Sequence, residues 1–437
     1  MGGRPPWRAS ITVPRLSRPR VALFISVAIS LGFLAVFGGI LYQLRRRGID
    51  RCVLPYLSRI PKRQAVAAGK PVHLLLCVAD HFEPERGGAS PSVQEARVDL
   101  WVRNYPRLFG EFCDSDGRPP LHTFFYPMEA YQSAHLEKLA GLCRQGFGEV
   151  EVHLHHDGDN ATALRERLLA YKKLLAERHQ LLSHDPQSGE ITYGFIHGNW
   201  ALDNSRPDGR RCGVNNELEV LRETGCYADF TMPSAPDPST QTRKINSIYY
   251  ACGNPRRGKG HDWGIDAGKG PIPERALLLI QGPLLLNWAE RKWGCLPRLE
   301  NGCLQGNQPP SMQRLDLWLR AHVQVPSRPD WFFVKLHTHG CKEFNQPILL
   351  GDPMVEFHRA LAERARVDPQ FHFHYVTARE MFNLVKAAEN HWQGSVADAR
   401  NYRMLWNGNL RPSRHLANGE SKRTLHQSPP VIPLSQC

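Results

Sequence analysis

The sequence predicts an α/β fold built on a parallel sheet, and three observations carry that expectation. Short apolar runs rich in Val, Ile and aromatic residues recur at residues 72–79, 123–126, 150–155, 192–197, 245–251, 276–280, 331–337 and 371–376. Helical patterns separate them, at residues 93–112, 133–143, 161–182, 216–223, 312–322, 354–366 and 378–388. Strands alternating with helices are the pattern of βα units, and six to eight repeats imply a barrel or partial barrel. Third, chemistry-bearing side chains collect where the runs end: Asp80 and His81, the stretch from His153 to Asp157, His197, and His337. Parallel α/β folds place their sites at the C-terminal ends of strands.

Each element has a local reason. The clearest helix is 161–182, where Leu164, Leu168, Tyr171, Leu175 and Leu181 keep roughly helical spacing behind Asp159 or Asn160 as N-cap. Residues 253–270 are rich in Gly, Lys and Arg, and residues 295–310 in Gly, Asn and Pro. They are expected to be long loop insertions within about 253–330, over the strand ends, where they could form a substrate lid. Ahead of all this, residues 21–44 are uncharged and mostly apolar, longer than the ~20 residues that cross a bilayer. A signal peptide needs an apolar core of only ~7–15 residues. Since Arg45, Arg46 and Arg47 follow directly, the run is expected to be an uncleaved transmembrane helix. The organisation expected is a basic segment (1–20), the membrane helix (21–44), a Pro- and Arg-containing linker (45–70), a main domain (71–392) and a disordered tail (393–437).

The net charge of +13 suggests nucleic acid until it is mapped. Residues 1–64 hold twelve Arg or Lys against the single acid Asp50, and the tail from Ala397 holds six basic against two acidic residues, so the body is near neutral. The basicity flanks the membrane, where anionic headgroups attract it, and nucleic-acid binding is not expected. Cationic residues lie on both sides of the apolar run, so the positive-inside rule does not orient it. Eleven scattered cysteines without a CxxC pair argue against both a disulfide framework and a zinc ribbon. No Walker loop, GxSxG elbow or dinucleotide fingerprint is present.

The candidate site is read from three strand ends. In Glu151-Val152-His153-Leu154-His155-His156-Asp157, the residues His153, His155 and Asp157 alternate, so all three face one side if the strand extends that far. If the chain turns after His153, the pair His153 and Asp157 can still grip one ion. Imidazole and carboxylate donors suit a divalent metal such as Zn²⁺. Asp80 emerges from a run without charge with His81 beside it, and both are read as part of the site. His337 ends another buried run and is expected to be catalytic, while His339 and Gly340 leave room for a ligand. His197 and Trp200 are expected to touch substrate, Trp200 by stacking on a sugar face.

The order of these motifs resembles the polysaccharide deacetylase family with the NodB-homology domain, over roughly residues 72–388. The resemblance implies a distorted (β/α)7 barrel that removes acetyl groups from N-acetylated sugars with a divalent metal, often zinc. The family's Asp-Asp pair, base then ligand, falls on Asp80 and His81. Its His-x-x-x-His ligands fall on His153 and Asp157, and its Leu-His motif on Leu336 and His337, which implies His337 as the acid that protonates the departing amine. Residues 221–229 and 373–380 resemble the family's middle helix–strand step and its closing strand and helix. The chain departs from the pattern in three places: His81 stands for the second Asp, Asp157 for the second His, and His197-Gly198-Asn199-Trp200 for Arg-x-Pro-Tyr. The alternative within this scheme makes Asp80 a ligand and Glu83, or a histidine of the cluster, the base.

The expected function is thus a metal-dependent hydrolase of an amide or ester on a carbohydrate, membrane-anchored and expected on the extracytoplasmic side, with oligomeric state unknown. Two alternatives stand beside it. A glycoside hydrolase needs two carboxylates ~5–9.5 Å apart, from Asp80 with Asp157 or Asp203. A glycan-binding or assembly protein would keep the site without turnover.

Overall fold

The computed structural model describes residues 18–59, 66–67 and 69–409. The expected segment 1–20 lies almost wholly outside the described residues, as do 410–437 of the expected tail. Helix α1 (Arg18–Arg46) holds the apolar run; its stretch Ala22–Arg46 is long and apolar enough to cross a membrane, and none of it is buried against the rest of the chain. The expected linker is partly structured. Gly48, at φ 63°, lets the chain reverse into α2 (Asp50–Arg59), because a Cβ there would lie 2.7 Å from the Asp237 carbonyl oxygen. Helix α2 packs on the main domain: Cys52 is buried with Ala235, Ile245 and Leu284, and Arg51 pairs with Asp262 at 3.4 Å.

The main domain is mixed α/β with a mostly parallel sheet. Its first half runs β1 (Val72–His81), α3 (Pro91–Phe109), β2 (His122–Pro127), α4 (Ser133–Arg144), β3 (Gly148–Leu154), α5 (Ala161–His179), β4 (Ser183–His184), β5 (Ile191–His197), α6 (Glu217–Glu223) and β6 (Cys226–Asp229). The chain continues through β7 (Ile248–Ala251), β8 (Ile265–Asp266), β9 (Leu277–Ile280), β10 (Leu285–Lys292), β11 (Leu296–Glu300), α7 (Met312–Arg320) and β12 (Trp331–Thr338). It closes with α8 (Gln346–Leu349), α9 (Asp352–Val367), β13 (Phe371–Tyr375), α10 (Ala378–Glu389), α11 (Val396–Ala399) and β14 (Leu405–Trp406). The strand order is β12-β1-β2-β3-β5-β6-β9-β7-β8, parallel except where β7 meets β8 and β9. Strand β13 pairs with the first half of β1, on the side where β2 takes the second half.

The core follows the two-residue period of the strands. On β1, Leu74 and Leu76 face a layer that includes Trp101 of α3, Leu139 of α4, Leu168 of α5 and Phe357 of α9. Leu75, Cys77 and Ala79 face the other way, toward a core completed by Met381, Leu384 and Val385 of α10. Strand β3 is apolar on the first face, through Val150, Val152 and Leu154. On the second it carries Glu149, Glu151 and His153. Those buried charges are satisfied. Arg379 grips Glu149 with contacts of 2.7–3.1 Å, and Glu151 accepts from Tyr227 Oη–H at 2.5 Å and the Gly194 N–H at 2.6 Å.

Two expectations for irregular chain are corrected. Besides β9 and α7, where a strand and a helix are expected, residues 253–330 carry β8 and the β10–β11 hairpin, and Arg314 of α7 pairs with Glu300 at 2.8 Å. Residues 393–409 are packed, not loose: β14 pairs with β4, and the buried Arg400 reaches Asp114 at 3.1 Å, Asp116 at 2.8 Å and Glu380 at 3.1 Å. The N-cap of α5 is as expected, with Asn160 Oδ1 accepting from Thr162 and Ala163 N–H.

Candidate metal centre

Three strand ends meet on the second face of the sheet. Strand β1 contributes His81 and, two residues on, Glu83; β3 contributes His153 and His155; and His339 follows β12. Parallel pairing sets Ala79 beside His337 and Asp80 beside Thr338, so one further step brings His339 level with His81. The ring centroids of His81 and His339 lie 4.6 Å apart in a stacked pair, and His81 meets His153 edge-on at 4.9 Å. Glu83 sits between them. Its carboxylate belongs to two groups whose ligand atoms all lie within 4.8 Å of one another, one with His81 and His339, the other with His153 and His155.

The hydrogen bonds show what this cluster wants. His153 Nδ1 stands 2.8 Å from the Ile196 carbonyl oxygen, which only accepts, so the proton of a neutral ring is on Nδ1 and Nε2 is bare. That bare nitrogen faces Glu83 Oε1 at 3.3 Å. His155 repeats the arrangement: Nδ1 lies 2.6 Å from Glu129 Oε1, and Nε2 lies 3.3 Å from the same Glu83 oxygen. Acceptors facing acceptors in a buried site repel unless a proton or a metal cation lies between them. A carboxylate or carbonyl behind each imidazole is the outer shell of metal-binding histidines, fixing the tautomer and aiming Nε2.

The electrostatics fit a cation. Burial, with His339 and His153 as neighbours, holds the His81 imidazole well below its usual range, and burial lowers His339 to about 3, so both rings are neutral donors. Burial works against ionisation of Glu83, but the ring nitrogens of His153 and His155 beside it outweigh that and hold the carboxyl far below its ordinary value. Burial also opposes charging of His155, yet Glu129 and Glu83 raise it to about 9. His155 and Glu129 are the open edge of the cluster, at 30% and 36% side-chain exposure, whereas His81, Glu83 and His153 are buried. The half-buried Trp200 completes the wall, its ring 5.9 Å from His81 and 6.0 Å from His339.

The structure thus brings His81, His153, His155, His339 and Trp200 together and separates the other expected residues. Asp80 is turned to the opposite face, because neighbours on a strand point opposite ways and His81 takes the site. It is fully buried there, Oδ2 2.9 Å from His122 Nε2 and Oδ1 accepting the Gly340 N–H at 2.6 Å. A Cβ on Gly340 would fall 2.1 Å from Asp80 Oδ2, so this glycine lets β12 close onto the carboxylate. Asp157 lies beyond the end of β3, where the strand no longer keeps the alternation; its Oδ1 accepts the Arg211 N–H at 2.7 Å in an exposed loop. His337 shares the face of His339 one pleat deeper, buried, with Nδ1 lacking a hydrogen-bond partner among the described residues. His197 is directed away to His156, 2.8 Å between their Nε2 atoms.

Sequence reasoning offered Glu83 only as an alternative base and did not name Glu129. The signal for Glu83 was its two-residue spacing from His81; Glu129, in the turn after β2, had none. A cleft of about 1090 Å³ lies elsewhere, beside α2 and lined by Arg51, Arg243 and Trp263; it is remote from this chemistry. No protein-family model matches the chain, and a search of curated proteins finds no match either.

Proposed function

We propose that His81, Glu83, His153 and His339 hold a divalent metal, zinc by donor type, and that the protein is a hydrolase removing an acyl group, N-acetyl first among candidates, from a carbohydrate. The observation that supports this most is the convergence of two imidazole Nε2 atoms, on His153 and His155, on one Glu83 oxygen at 3.3 Å. When bound, the metal supplies a Lewis acid and a water acidic enough to ionise near neutral pH. His155, anchored through Nδ1 on Glu129 at the solvent edge, would move the proton held at its Nε2, as acid toward the departing amine and as base once that proton has left. In this reading it assumes the roles expected of Asp80 and His337, since Asp80 is committed elsewhere and His337 is buried beneath the cluster. Trp200 offers an aromatic face to a sugar ring.

The sheet is read as a NodB-like barrel, supported by main-chain bonds on the far side of β12: His337 N–H donates to Gly302 O at 3.0 Å and His337 O accepts from Leu304 N–H at 2.8 Å. The apolar helix is read as a single-pass anchor with the hydrolase on the extracytoplasmic side. The glycosidase alternative loses support, because Asp80 faces away, Asp157 holds a loop, and Asp203 is buried accepting the Gly260 N–H at 2.6 Å.

The test uses the full chain in detergent, with acetate release measured from N-acetylated oligosaccharides. A chelator should abolish release and added zinc restore it. A zinc-loaded protein that releases no acyl group from N- or O-acetylated glycans would overturn the enzymatic reading and leave glycan binding.

A further inference from the structure

The residue after His155 points into a different cluster. His156, at the exit of β3, meets His197 from the end of β5, Cys212 from the following loop and Glu217 from the first turn of α6, all four buried with ligand atoms within 4.8 Å of one another. We propose that His156, His197, Cys212 and Glu217 form a second metal site, a closed one that holds a structural zinc-class ion and braces the wall of the first.

Three features support it. The first is tautomer geometry. His197 Nδ1 lies 2.6 Å from the Gly198 carbonyl oxygen and His156 Nδ1 lies 2.9 Å from the Asp159 carboxylate, so in neutral rings both protons are on Nδ1. Their bare Nε2 atoms nevertheless stand 2.8 Å apart, with Glu217 Oε1 at 2.9 Å from the one and 3.4 Å from the other. Three acceptors crowd one buried point, which a metal cation or an added proton relieves. The second is the thiol. Cys212 is a free cysteine whose Sγ donates to Glu217 Oε2 at 3.5 Å and accepts the Val214 N–H at 3.5 Å, so the sulfur already lies against the carboxylate of the cluster. The third is the donor set: two imidazoles, a thiol and a carboxylate saturate a tetrahedral ion, with a carboxylate and a carbonyl behind the imidazoles. Donors around such an ion stand roughly 3.3–3.8 Å apart, so the cluster would open by only about half an ångström to take one.

The site ties four segments, two of which, the exit of β3 and the end of β5, lead to His155 and Trp200 of the first cluster. Asp157 accepts the Arg211 N–H and the Asp159 N–H donates to the Cys212 carbonyl at 3.0 Å, zipping the two loops that supply His156 and Cys212. His197 leads directly into Gly198, where a Cβ would stand 2.2 Å from His155 Cδ2, and then to Trp200. Fixing His156 and His197 therefore fixes the floor beneath His155. The competing arrangement, a proton held by His156 between Glu217 and His197, needs no metal and is what the test must separate.

The full chain in detergent is loaded with Co²⁺ in place of zinc, and its near-ultraviolet spectrum and metal content are measured. We expect a thiolate-to-cobalt charge-transfer band in the wild type, its loss in Cys212→Ser together with one equivalent of tightly held metal, and its retention in His81→Ala. Glu217→Gln should likewise lose one equivalent. A wild-type cobalt protein without the thiolate band overturns the proposal without recourse to any variant, as does full metal content in both Cys212→Ser and Glu217→Gln. Failure of the first metal site alone would leave the band and a single equivalent in place, and failure of turnover alone would leave the band and both equivalents.

Discussion

Adjacent residues on one strand end, His155 and His156, belong to two clusters of opposite character. His155 joins an open site of histidines around Glu83, reached by solvent past Glu129 and lined by Trp200. His156 joins a site buried on every side, with a thiol in it and no exposed edge. The difference teaches that the alternation of a strand sorts function. Side chains on one face reach a shared cavity, while the next residue is free to lock loops together. The open cluster can exchange a ligand and do chemistry; the closed one can only hold shape.

The largest effect should come from the open cluster. His153→Ala is expected to remove its metal and lower acyl hydrolysis by more than ~100-fold, above what loss of an outer-shell partner costs, while leaving the metal of the closed cluster in place. Metal analysis with kinetics checks this; a variant with unchanged metal content and rate would break the assignment. Coupling between the clusters is the next target. Gly198→Ala inserts a methyl where His155 lies, and a displacement of about 1 Å should reduce kcat by roughly 100-fold with little change in thermal midpoint. An unaltered rate would mean that His155 is not held by this wall.

Asp80→Asn sharpens the contrast between the two faces of β1. It should lower stability by about 1–3 kcal/mol through the buried Gly340 and His122 bonds, measured by denaturant unfolding, with metal content preserved. A collapse of kcat at unchanged stability would return Asp80 to catalysis. The smallest effect concerns a histidine in neither cluster. Burial alone pushes His358 down to about 3, below its ordinary 6.5, so the folded state binds fewer protons than the unfolded between those values. Stability should therefore fall on acidification from pH 6.5 toward 3, by about 1.4 kcal/mol per pH unit for this group. His358→Phe should flatten that part of the profile; an unchanged slope would mean that the ring takes up its proton as readily in the folded chain as in the unfolded one.

Much of the open site was legible because it lies on strands. The alternation through Val152, His153, Leu154 and His155 shows in the sequence and holds in the structure, and the strand-end positions of His81 and His339 follow from runs of apolar residues. Asp80 misled for a physical reason: β1 is buried on both faces, so residues 74–79, all apolar, give no polarity from which to tell which of Asp80 and His81 faces the site. Asp157 failed because nothing local marks where β3 stops alternating. Cys212 and Glu217 reach the closed cluster from a loop and a short helix more than fifty residues beyond His156, a closeness that only tertiary packing creates. The same holds for residues 396–406, whose anchors, Arg400 on Asp114, Asp116 and Glu380, carry no periodicity.

The most direct measurement is an anomalous difference map of the crystallised full chain, collected on both sides of the zinc absorption edge. The account predicts a peak bounded by His81, Glu83, His153 and His339, within reach of His155. An empty map at that point, with the four side chains ordered and the protein prepared with zinc, would contradict it.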